Sequence, residues 1–234
     1  MPRHQVSVRA VVGRRAWPRR CLLAIVLVCP IVAITAQSAL AKTVALWHMN
    51  EKSGSVMHDS VGNHNGTLFN VTLGEPGWRG SAYGFARSSL TVPSAHALNP
   101  GRRAHFGVTL HLKTTTVPQP GHIWTLIRKG HWNTKGGEWK VTYHHSGKVS
   151  CGFKGSHHQA VVKAGPAVND GTWHTVRCVK TRSAIQLIVD GVKHSKTARL
   201  GKIGNGAPVL LGAYPGGGYY IGSLDEVSIA RSRK

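Results

Sequence analysis

Acidic residues are scarce in this chain: eight Asp and Glu stand against 30 Lys and Arg in 234 residues. Hydrolysis of a glycosidic bond generally needs two carboxyl groups facing each other across it. Glu51, Asp59, Glu75, Glu138, Asp170, Asp190, Asp225 and Glu226 form no spaced series on one strand. Asp170 and Asp190 fall in turns, Glu138 is a lone acid, and Asp225 and Glu226 are adjacent residues whose side chains diverge in regular strand. The chain therefore reads as a non-enzyme, with a glycoside hydrolase or other polysaccharide-active enzyme, its acids assembled from distant strands, as the alternative. A sustained helical stripe is missing too, as is an apolar run of the roughly 20 residues that a membrane-spanning helix requires. Aromatics reach only 7%, while 41% hydrophobic residues, 28 Gly and 11 Pro fit one globular domain rich in turns.

Arg3, Arg9, Arg14, Arg15, Arg19 and Arg20 precede the apolar run "CLLAIVLVCPIVAITA", which leads into "SALA". That order reads as a secretory signal peptide over residues 1–41, cleaved after Ala41. A retained anchor is the alternative, against which the run is short and carries Pro30. Cleavage leaves a secreted domain over residues 42–234 with no stable membrane span. Its charge is 24 basic residues minus 8 acidic, or +16, because six arginines leave with the leader. An excess of that size predicts attraction to polyanions. Polysaccharide or another anionic cell-surface polymer is the expected partner; nucleic acid is a nonspecific one, since no base-reading motif is present.

Cysteine is sparse as well. Of four, Cys21 and Cys29 go with the leader, and Cys151 and Cys178 remain in an exported chain, where thiols oxidise. They are expected to form one disulfide; a nucleophilic or metal-bound thiol would need a base or further soft ligands, and none can be read. Fourteen histidines follow the leader, but the doublets His144-His145 and His157-His158 point opposite ways on a strand and do not chelate as pairs.

What the sequence has in abundance is a period of two. In "HFGVTLHLK", Phe106, Val108, Leu110 and Leu112 alternate with Gly107, Thr109, His111 and Lys113, and the beat returns at Trp139, Val141, Tyr143 and at Val149, Cys151, Phe153. Turn residues punctuate about every ten positions, the spacing of an antiparallel sandwich or jelly roll of roughly a dozen strands. "TWHTVRCVK" is one strand, with His174, Val176 and Cys178 on one face, and Asp190-Gly191 turns the chain after "AIQLIV". His174 is expected to pack and hydrogen-bond within the sheet rather than to join Asp190 in a catalytic triad. Cys151 is expected on a strand neighbouring that of Cys178. In "IGSLDEVSIAR", Leu224 is out of phase with Val227 and Ile229, which predicts a bulge near Asp225 and Glu226.

"ALWHMNEKSGSVMHDSVGNHNGTL", "SLTVPSAHALNPG", "IRKG", "DGTWHTVRCVKT", "IQLIVDGV" and "YYIGSLDEVSIAR" occur in the order seen in bacterial concanavalin A-like, laminin G-like jelly-roll domains, a resemblance covering about residues 44–231. It implies an all-β, two-sheet antiparallel jelly-roll sandwich, usually an adhesive or carbohydrate-binding module outside the cell and often carrying a structural calcium ion. In that family the first loop and the final strand meet at the ion, so the resemblance carries the calcium ligands onto Asp59, Asn63, Asn65 and Asp225. These residues are hard-oxygen donors, as Ca²⁺ requires. The alternative is that Asp59 and Asn63 simply shape turns. For a ligand, Trp132 in "KGHWNTKGG" and Tyr214 in "AYPGGGYY" stand in Gly-rich loops as stacking faces, with Lys129 and Lys135 nearby in sequence. Trp124, Trp139 and Tyr143 fit core positions instead.

Overall fold

The computed structural model describes residues 41–214 and 218–232; the leader expected over residues 1–41 lies, Ala41 apart, outside them. Sixteen strands are described: β1 (Lys42–Trp47), β2 (Val56–Met57), β3 (Gly66–Phe69), β4 (Thr72–Pro76), β5 (Ser81–Phe85), β6 (Ser89–Val92), β7 (Phe106–Lys113), β8 (Ile123–Lys129), β9 (Glu138–His144), β10 (Val149–Lys154), β11 (Gln159–Lys163), β12 (His174–Lys180), β13 (Ala184–Val189), β14 (Val192–Thr197), β15 (Val209–Leu211) and β16 (Gly222–Arg231). The roughly dozen expected was an undercount, because strands as short as β2 and β15 span too few residues to show a period. Two eight-stranded antiparallel sheets result. One runs β14-β13-β12-β7-β16-β5-β4, with β1 also on β16; the other runs β11-β10-β9-β8-β15-β6-β3-β2. The chain is an all-β jelly-roll sandwich, and among the described residues no helix is long and apolar enough to cross a membrane.

Alternation decides what faces the core. Phe106, Val108, Leu110 and Leu112 of β7 and Val176, Ile185, Leu187 and Val189 of β12 and β13 are fully buried, as are Val141 and Tyr143 of β9 and Val149 and Cys151 of β10. Trp139 stacks obliquely on Phe106 at 5.4 Å between ring centroids, joining the sheets. Asp190 and Gly191 take positive φ angles of 49° and 84°, the pair of left-handed residues that a two-residue hairpin between β13 and β14 demands. The expected bulge is present: the register of β16 against β7 shifts between Asp225 and Ser228, and Glu226 sits at φ 46°.

Cys151 and Cys178 are bonded, with Cα atoms 5.3 Å apart. Their strands are not neighbours in one sheet, however. Cys151 pairs with Val141 and Val162, Cys178 with Val108 and Leu187, so the bridge joins β10 of one sheet to β12 of the other through the core. Periodicity shows that both thiols face inward; it does not show that they meet from opposite sides. Replacing both in Cys151→Ala/Cys178→Ala should cost about 3 to 4 kcal/mol on the chain-entropy model, or roughly 10 °C in melting temperature for a domain of this size. An unchanged melt of the oxidised and double-variant proteins would contradict an inter-sheet staple.

Candidate functional site

At the end of β8 the chain turns at Gly130, which takes a φ of 78°, into a loop that returns as β9. A register shift between Thr125 and Ile127 inserts one extra residue into β8, and a bulge reverses which face every later side chain takes. Arg128 therefore pairs with Lys140 on the face away from the core, while Lys129 pairs with Trp139 on the inward face. Lys129 is fully buried, and its ammonium donates to Ser94 Oγ at 2.8 Å and to the Ala207 carbonyl. Burial lowers its pKa to about 8. It is an internal brace and not the surface ligand contact expected from sequence.

Arg128 leads outward into a stack of planes. Its Nη2 donates to Glu138 Oε2 and Lys140 Nζ to Glu138 Oε1, both at 2.8 Å, so the carboxylate is consumed by two cations. The guanidinium lies 4.2 Å from the Tyr214 ring centroid. Tyr214 stacks on His131 at 4.8 Å with planes 6° apart, and His131 touches Trp132 at 5.8 Å. Lys154 Nζ donates to the Trp132 carbonyl and sits 5.9 Å from its ring. The indole itself is 59% exposed, and Lys135 in the same loop is exposed. Trp132 and Tyr214, 82 residues apart by number, are thus brought to one patch through His131. Sequence reading missed Arg128, His131, Glu138 and Lys154; only the shared face of Arg128 and Lys140 was a usable signal, and the bulge masks it. A flat indole face flanked by cations can stack on the apolar face of a sugar ring and donate to its hydroxyls.

Of the four residues expected around calcium, three already accept from backbone N–H groups and the fourth, Asn63, is exposed. Asp59 Oδ1 accepts from the backbone N–H of Leu46 at 2.9 Å and of Val61 at 3.0 Å, and Oδ2 from His64 at 3.0 Å. Burial raises its pKa, but these backbone donors outweigh it and hold the carboxyl below its usual range. Asn65 Oδ1 accepts from Asp59 N–H at 2.8 Å, and Asn63 is exposed. Asp225 takes the N–H groups of Arg79 and Glu226 at 2.8 and 2.7 Å. Oxygens already facing several N–H dipoles are poorly disposed to a cation, so Asp59 and Asp225, as placed, serve the backbone around them. No group of three or more His, Cys, Asp or Glu able to hold a metal occurs among the described residues.

The remaining acids are likewise held. Glu51 bonds His58 and Tyr83, Glu75 accepts from Ser223 Oγ, and Glu226 meets His48. His174, 8% exposed, is clasped between Asp190 Oδ2 on Nδ1 at 2.8 Å and Asp170 Oδ1 on Nε2 at 2.9 Å. Burial works against its charge, but the two aspartates prevail and its pKa is raised.

A laminin G family model, described as the concanavalin A-like lectin/glucanases superfamily, matches residues 84–233. The chain belongs to that superfamily. No curated protein matches it in sequence. Among solved structures it is similar to the binding domain of Paraclostridial mosquitocidal protein 1 (TM-score 0.67, 15% identity, 82% of this chain and 50% of that one). It also resembles domain 4 of AbnA, a GH43 extracellular arabinanase from Geobacillus stearothermophilus, in complex with arabinotriose (0.63, 16%, 82% and 93%). A third is a structure of botulinum neurotoxin type C, whose cell entry is dependent upon interaction with two ganglioside molecules (0.61, 10%, 81% and 47%). The chain spans about half the length of the toxin structures, and at these identities the likeness shows the fold.

Two measurements follow. His174→Gln should destabilise the protein most at acid pH: a raised histidine pKa contributes stability in full below the unfolded value of about 6.5, and loses it as pH rises through the folded value. Melts at pH 5.5 and pH 9 should show the gap between wild type and variant narrowing, and an equal gap would contradict the clasp. Asp59→Ala should cost about 1.5 to 3 kcal/mol, as for hydrogen bonds to a charged group, in chelator and in calcium alike. A melt lowered by chelation and restored by calcium would instead place an ion in the loop.

Proposed function

We propose that the chain is a secreted, non-catalytic carbohydrate-binding module whose contact surface is the Trp132–Tyr214 patch. The exposed indole carries this reading: a loop tryptophan 59% open to solvent, positioned by the Arg128–Tyr214–His131 stack and by Lys154, has no packing role that would require its exposure. Pre-ordering of such a ring lowers the entropy lost on binding. The similar structures support the reading: a toxin binding domain, a neurotoxin whose cell entry depends on two ganglioside molecules, and an arabinanase domain holding arabinotriose. Secretion is supported by the leader pattern of residues 1–41 and by a buried disulfide, which forms in oxidising compartments.

Hydrolysis is disfavoured because each of the eight carboxylates serves a hydrogen bond inside the fold, and Glu138, next to the patch, already neutralises Arg128 and Lys140. Titrating arabinotriose and a panel of neutral oligosaccharides by calorimetry should find a ligand whose affinity falls about tenfold in Trp132→Ala, the equivalent of about 1.4 kcal/mol of stacking. Binding indifferent to Trp132 would move the site elsewhere. Release of reducing ends, abolished by changing a single acid, would make the protein an enzyme.

A further inference from the structure

A concave surface shares this end of the sandwich with the Trp132 patch. A cleft of about 370 Å³ is lined by Arg102, Arg103, Arg182, Arg199 and His157. The strand register explains the convergence. Lys180 at the end of β12 pairs with Phe106 at the start of β7, and Ala184 at the start of β13 pairs with Thr197 at the end of β14, so the loops carrying the four arginines leave the first sheet together. Lys154 pairs with Gln159 in the second sheet, which brings the β10–β11 hairpin and His157 to the same end.

The walls are built rather than incidental. Ser156 N–H donates to the Lys202 carbonyl at 3.0 Å and His157 N–H to the Leu200 carbonyl at 3.1 Å, tying hairpin to strand exit. Gly201 lies between them at φ 82°, where a side chain would collide with Ser156 and His157. Lys180, 2% exposed, donates from Nζ to the Arg102 carbonyl at 3.1 Å and fixes the loop that presents Arg102 and Arg103. Among the described residues none of the four arginines has an ion pair within the fold, although all are exposed. Four guanidiniums around one hollow repel one another, and no carboxylate among the described residues pairs with them to offset that cost. An anion from outside would.

We propose that this cleft binds the sulfate or phosphate groups of an anionic glycan, whose chain continues over the 154–158 hairpin to the Trp132 patch. A guanidinium offers a planar fork of donors that matches oxoanions in pairs, and a tetrahedral group has enough free oxygens to engage several forks at once. The hollow is too small for a nucleic-acid duplex, and no Phe, Tyr or Trp lines it to stack a base. Trp132 lies close by through Lys154, which holds its carbonyl from the base of that hairpin. The inference rests on the glycan-binding reading above but fails separately from it.

The test compares three variants of the whole chain on immobilised dextran sulfate and on unsulfated dextran, at low and physiological salt, with double-stranded DNA as competitor. Arg182→Ser/Arg199→Ser should bind dextran sulfate at least tenfold more weakly and with a shallower salt dependence, while leaving any dextran binding unchanged. Trp132→Ala should weaken both by a similar factor. Lys148→Ser/Lys193→Ser removes the same charge from exposed positions at the opposite ends of the strands and should bind as wild type. Equal losses in the arginine and lysine variants would overturn the cleft in favour of diffuse charge, as would an arginine variant that binds normally. DNA outcompeting dextran sulfate through the same arginines would reassign the cleft to nucleic acid. Loss of the Trp132 effect alone would sink the carbohydrate patch and leave the anion site standing.

Discussion

Burial of two apolar sheet faces against each other is the constraint from which the remaining features follow. Apolar surface removed from water contributes roughly 25 cal/mol per Å², and a strand can offer only alternate residues to that interface. Phe106, Val108, Leu110 and Leu112 from one sheet and Val141, Tyr143, Val149 and Cys151 from the other are fully buried for this reason. The Cys151–Cys178 bond crosses the same interface, restraining the separation of two layers that hydrogen bonding within each sheet leaves free to part. The loops add a few residues to this core, Met49, Val168, Ile203 and Tyr220 among them, and their remaining side chains are left to other uses.

Those uses divide by charge. Carboxylates are so few that each is committed: Asp59 closes the first loop around backbone N–H groups, Asp170 and Asp190 clasp His174, and Glu138 holds Arg128 and Lys140. The cations outnumber them, and four arginines of the surplus converge where strands leave the first sheet. Tyr214, His131 and Trp132 project from one side of that end and the arginine cleft lies on another, joined by the β10–β11 hairpin. A rigid sandwich presenting adaptable loops is a common arrangement for recognition.

Much of the fold was legible because a period of two is a local signal. The inward residues of β7, β9 and β10, the Asp190-Gly191 turn and the bulge at Asp225–Glu226 all follow from a few consecutive letters. Pairings across the core were not legible, since alternation gives a face and not an opposite number; hence the disulfide was expected within one sheet and lies between two. Lys129 failed for a different reason. One extra residue between Thr125 and Ile127 reverses the phase, sending Lys129 inward against the ordinary preference of a lysine and Arg128 to the opposite face. The arginine cleft draws on positions from 102 to 199, and in sequence it left only an unbalanced count of charges.

The central claim is that recognition is confined to this one end of the sandwich. Nuclear magnetic resonance of labelled protein, titrated with a short sulfated oligosaccharide, tests it residue by residue. The indole N–H of Trp132 and the guanidinium signals of Arg102, Arg182 and Arg199 should move together and saturate together, while the outer-face pair Trp78 and His111, stacked at 4.8 Å, stays still. Shifts centred on Trp78 and His111, or spread evenly over the surface lysines, would contradict it.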